Sequence, residues 1–132
     1  MTFLAPWEPH LRSILRIVAG FTFSLHGYQK FFGWLNGLDG QGNKAELMST
    51  MGAAGVLETF GGALIILGLF TRPTAFILSG QMAVAFFMVH LPMSFFPILN
   101  GGEITVLYCF IFLWLSAAGP GPLSVDALRS KK

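Results

Sequence analysis

Charged residues are scarce in this 132-residue chain: Asp, Glu, Lys and Arg together make up 11%, against roughly 25% in an ordinary soluble domain. A fold in water could not cover its surface with so few, so the solvent around most of the chain must be lipid. There is one cysteine, Cys109. With no second thiol, an intrachain disulfide and a Cys-based metal site are excluded, and Cys109 reads as a small buried hydrophobe. No basic patch interleaved with base-stacking aromatics is present, which removes nucleic acid as a partner. Nothing in the chain would bind flavin, nicotinamide or an iron–sulfur cluster, so it does not read as a complete oxidoreductase by itself.

What is present is apolar. Hydrophobic residues make up 54% of the chain, and phenylalanine occurs 14 times. Four apolar runs fall at about 14–32, 53–70, 74–91 and 104–118, near the roughly 17–25 residues a helix needs to cross hydrocarbon. Turn chemistry separates them: Gly37 to Gly42, then Thr71-Arg72-Pro73, then Pro92 to Gly102. The expected fold class is all-α, an integral membrane four-helix bundle over 1–132, because in lipid each helix must satisfy its own backbone. With four spans, Arg12, Arg16, Arg72, Arg129, Lys131 and Lys132 collect on one side and Lys30 and Lys44 on the other. This places both termini in the cytoplasm. A cleaved signal peptide is disfavoured, because the first run is long, carries His26 and Lys30, and lacks a small-x-small cleavage site before them.

Within the first run, Arg16, Gly20, Phe23, Gly27 and Lys30 recur at steps of four, three, four and three, with Ala19 and His26 beside them. That stripe should face other helices, while Ile14, Val18, Phe21, Leu25 and Phe32 face lipid. In the second run Gly55, Glu58, Gly62 and Ile65 share a face, which implies a buried carboxylate either protonated or paired with a cation, and pairing with Lys30 or His26 at about the same depth is expected. Gln81 and His90 of the third run lie half a turn out of phase and face different neighbours. Smaller expectations are a surface helix over Lys44 to Met51, a third helix started by Pro73, an apolar segment 93–102 lying back on the bundle, and a last turn capped by Ser124.

Five ionisable residues, His26, Lys30, Glu58, His90 and Glu103, should converge on the outer half of the bundle. One reading is a structural network that sets helix register. The other is a quinone or quinol site, with histidine and carboxylate handling protons and Phe86, Phe87, Tyr108 and Phe110 as apolar walls. Axial haem ligation by His26 and His90 is disfavoured, since His26 should lie one to two turns deeper. A transporter is disfavoured by four short spans without an inverted repeat.

The ordered set of an Arg…Gly…His-Gly…Lys first helix, Glu58-x-x-Gly61-Gly62 with Gly68-Leu-Phe-Thr-Arg72, His90-x-Pro92, Gly101-Gly-Glu103 and Gly119-Pro-Gly-x-Leu-Ser-x-Asp126 resembles the DoxX family of small bacterial membrane proteins. The resemblance covers nearly the whole chain. It implies four transmembrane helices in the bacterial inner membrane and a loose link to redox work, because relatives include the small membrane subunit of a thiosulfate:quinone oxidoreductase. The expected function is therefore an accessory subunit of a quinone-linked redox complex, with lipid and other membrane subunits as partners. The alternative is a non-catalytic structural or assembly subunit. Quinone is the one ligand suggested, and whether the chain is itself an enzyme stays open.

Overall fold

A computed structural model describes residues 2–132, and among them there are helices and no strands. After a 3₁₀ turn at Ala5–Trp7, α1 runs Glu8–Phe32 and stops at Gly33, whose φ of +72° glycine adopts without strain. Next come α2, Thr50–Leu67, and α3, Thr71–His90. The chain ends with the single turn α4 (Pro97–Asn100), then α5 (Glu103–Ala118) and α6 (Val125–Arg129). By length and composition α2 and α3 are apolar enough to cross a membrane, while α5 is apolar but has only 16 residues.

The boundaries of α2 and α3 differ from expectation for identifiable reasons. Ser49 caps α2 by accepting from the Gly52 amide at 3.0 Å, so the helix begins at Thr50 and Lys44 to Met51 form no separate helix. Gly68, at φ +67°, ends it three residues early. The turn into α3 is therefore 68–70, and Pro73 sits inside the first turn of the helix instead of starting it. Phe70 is held at φ +49°, uncommon for a residue with a side chain. Its amide and that of Thr71 both donate to the Asp126 carboxylate at 2.9 Å, which places a negative charge on the N-terminus of α3.

The four long helices pack as two antiparallel pairs, α1 with α2 and α3 with α5. Glycine sets the first seam. A Cβ built on Gly27 would stand 2.5 Å from the Thr59 nitrogen, one on Gly62 2.7 Å from Ser24 Cβ, and one on Gly20 2.9 Å from Ile65. Between the pairs, Phe23 of α1 meets Phe112 edge-on at 4.9 Å and Tyr108 at 5.2 Å, with Ile65, Leu78, Met82 and Leu115 completing the core. The two faces of α1 fall as its periodicity requires: Arg16, Ala19, Gly20, Phe23 and Gly27 are buried, whereas Ile14, Val18, Phe21 and Phe32 are exposed.

The closing segment straps the end of the bundle where α1 begins. Arg16, fully buried, donates to the carbonyls of Ile65, Ile66, Pro120 and Leu123. Arg12 and Arg72 donate to the last carbonyls of α5, at Ala118 and at Ser116 and Ala117, where cations suit the helix dipole. Leu123 N–H donates to Ser13 Oγ at 3.2 Å, and Ser124 caps α6 by accepting from Ala127 N–H at 3.1 Å.

Candidate functional site

At the opposite end the two pairs draw apart around a cavity of about 610 Å³. Its wall is mostly apolar, with Phe23, Leu57, Ile77, Met82, Met88 and Ile104, and it reaches Thr50 and Gly101 at the mouths of the connecting loops. His26, Lys30, Glu58, Gln81, His90, Thr105 and Tyr108 supply its polar groups. Such a size and balance of lining suit a small organic ligand.

Glu58 is the centre of the polar wall. It is 2% exposed, and Lys30 Nζ donates to both of its oxygens at 2.7 Å, so the carboxylate pairs with Lys30 and not with His26. Gln81 Nε2 reaches across from α3 to donate to Glu58 Oε1 at 3.0 Å. Three hydrogen bonds from two donors, Lys30 and Gln81, compensate the buried carboxylate for its lost hydration, which an isolated charge in an apolar wall would lack. The Gln81 Oε1 atom is buried without a hydrogen-bond partner among the described residues.

His90 is fully engaged. Its Nδ1 lies 3.0 Å from the Asn100 carbonyl and its Nε2 3.3 Å from the Thr105 hydroxyl. A carbonyl only accepts, so Nδ1 carries a proton, while Nε2 faces a hydroxyl able to donate or accept. Neither nitrogen is free for an axial ligand bond without breaking these contacts. His26 stands differently: it is exposed at the cavity edge, its ring edge-on to Tyr108 at 6.4 Å, and none of the described residues hydrogen-bonds to it. Tyr108 donates its hydroxyl to Thr22 Oγ1 at 2.7 Å, tying α5 to α1.

Both polar anchors lie in widened helical turns. Residues Leu57–Gly61 of α2 and Phe86–His90 of α3 are π-helical, and they contain Glu58 and His90 respectively. Such turns accommodate one extra residue at the expense of regular hydrogen bonding, and they occur frequently at functional sites.

Of the five expected residues, the structure brings His26, Lys30, Glu58 and His90 to one cavity. Glu103 is not with them; it is exposed on the first turn of α5, outside the lining. The expected aromatic walls also need correction. Tyr108 lines the cavity, but Phe87 and Phe110 are 63% and 64% exposed on outer faces, and Phe86 is half-buried away from the lining. Gln81 is the participant that sequence reasoning did not select, although its separation in phase from His90 did anticipate that the two meet different helices. The signal available was a lone amide in the third apolar run at about the depth of Glu58.

A family model described as DoxX matches residues 11–91. The matched stretch contains His26, Lys30, Glu58, Gln81 and His90, and ends before Glu103. A Haemophilus influenzae protein described as uncharacterized is 42% identical over 135 residues, with the whole of both chains covered. No solved structure matches.

Proposed function

The chain belongs to the DoxX family of membrane proteins, and on that premise we propose that it spans the bacterial inner membrane as a four-helix bundle with both termini cytoplasmic. In this reading it serves a quinone-linked redox complex as an accessory subunit, with the cavity as the head-group site. Support for the topology comes from α2, α3 and the apolar α5, from the apolar outer ridge of α1, and from six basic residues toward one end against two toward the other.

The observation that carries the ligand reading is the placement of Glu58, a buried ionisable group in an apolar wall beside an exposed histidine. Ionisable residues at membrane depth are costly and mark functional pathways. A bound quinone head supplies two-electron, two-proton chemistry. The chain's own part is to admit it between apolar walls and to place proton-handling groups beside it. His26 is unencumbered and can give or take a proton at the cavity edge. Glu58 is oriented by Lys30 and Gln81.

The test is electron transfer to or from quinone by the purified complex, with His26→Ala and Glu58→Gln variants. Each removes a proton-handling group while leaving the helix faces largely intact. A marked loss in both, in variants that still assemble normally, supports the head-group site. Normal assembly with unchanged electron transfer in both removes it and favours a non-catalytic scaffold, a reading to which the internal bonding of Lys30, Glu58 and Gln81 also lends itself.

A further inference from the structure

This inference rests on the head-group reading of the cavity and specifies which redox form the cavity holds. The carboxamide of Gln81 is oriented by chemistry: an ionised carboxylate only accepts, so the end turned toward Glu58 must be the nitrogen. The oxygen is the end left over, buried and without a protein partner among the described residues. A buried acceptor in that position lacks the hydrogen bond that nearly all such atoms have in folded proteins. None of the donors lining the cavity reaches this oxygen: Lys30 Nζ gives two of its three hydrogens to Glu58, the Tyr108 hydroxyl donates to Thr22, and both nitrogens of His90 are engaged.

We propose that the cavity binds the reduced, hydroxyl-bearing head group, a hydroquinone, in preference to the quinone, with Gln81 Oε1 accepting from one hydroxyl. A quinone offers only carbonyl acceptors. Such a carbonyl can accept from the third hydrogen of Lys30 or from the His26 N–H, but it opposes Gln81 Oε1 lone pair to lone pair, and the orphaned oxygen stays unpaired. A hydroquinone brings two O–H donors. One satisfies Gln81 Oε1, and the other has His26, whose unprotonated nitrogen accepts. Rejection of an analogue that lacks the donor is strong when a buried acceptor is left unpaired. By linkage, each tenfold preference for the reduced form raises the two-electron potential of the bound couple by about 30 mV.

The experiment measures binding to the purified full-length protein in detergent, under anaerobic conditions, for three probes of one ring and short side chain. These are the hydroquinone, the matching quinone and the hydroquinone dimethyl ether, which keeps the ring and oxygens but has no donor. The expected result is at least tenfold tighter binding of the hydroquinone than of either other probe, with the preference lost in Gln81→Leu. Equal affinity for hydroquinone and quinone, or for hydroquinone and its ether, overturns the inference while leaving the head-group site standing. A preference that persists in a folded Gln81→Leu protein overturns the assignment to Gln81. Failure of all three probes to bind removes both the inference and the reading beneath it.

Discussion

Lys30 Nζ sits 2.7 Å from each oxygen of Glu58, joining the last turn of α1 to the widened turn of α2. The lysine side chain is 16% exposed and the glutamate 3%, so removing either partner leaves the other charge largely buried and unpaired. Lys30→Met should therefore destabilise the protein by about 3–5 kcal/mol, and pairing it with Glu58→Met should restore much of the loss. Thermal unfolding in detergent checks this; a double variant no more stable than the single would count against the pair as the cause.

The glycine seam makes a sharper contrast. Gly27→Ala puts a methyl 2.5 Å from the Thr59 backbone nitrogen, which cannot move aside as a flexible side chain would, and should cost about 1–3 kcal/mol. Gly80, also helical, meets nothing within 4 Å. Gly80→Ala should instead stabilise by roughly 0.5–1 kcal/mol. Melting curves for the two variants should move in opposite directions.

Asp126 predicts a pH dependence. Burial alone would raise its pKa, but amide hydrogen bonds from Thr71 and Phe70 and the nearby Arg129 outweigh this and hold the carboxyl below the usual range. A depressed folded value means that the contribution to stability is complete above the unfolded carboxyl value of about 3.9 and is lost as pH falls through the folded value. Asp126→Asn should flatten that acid limb of melting temperature against pH. An unchanged limb would mean that other carboxylates carry it.

Arg16→Lys keeps the charge but offers one ammonium where a planar fork now serves four carbonyls. Hydrogen exchange at the Leu123 and Asp126 amides, which are bonded to Ser13 Oγ and the Gly68 carbonyl, should speed up at least tenfold in this variant. Exchange around Glu58 should change little.

The proposed topology has its own test. Reporter domains fused at the C-terminus should be active only where cytoplasmic location permits, and a sandwich fusion in the 33–49 loop should show the opposite pattern. A C-terminal reporter active outside would overturn the orientation.

Much of the helical architecture could be read from the chain because burial follows simple periods. The row from Arg16 to Lys30 and the glycine-flanked Glu58 each predicted a face, and from those faces a pairing of Glu58 with Lys30 or His26 followed, of which the structure takes Lys30. Gln81 escaped because a single amide gives no period, and its partner lies 23 residues away on a helix whose phase is altered by a widened turn. Phe87 and Phe110 were misassigned as walls because aromatic residues suit lipid as well as a pocket, so type alone does not tell which way they point. The Arg16 cage was invisible for another reason. Its acceptors are backbone carbonyls, which every residue has, and two of them lie more than 100 positions away.

That last separation bears on how the protein is made. Synthesis runs from the N-terminus, and domains tend to form in that order. Arg16 is thus produced more than 100 residues before Pro120 and Leu123, which take up half of its guanidinium bonds. Until that later stretch has left the ribosome, the first helix holds a cation with an incomplete set of acceptors. Completion of this strap therefore waits on synthesis of the segment that follows α5, and a polypeptide truncated before Pro120 would be left carrying an unfinished arginine site.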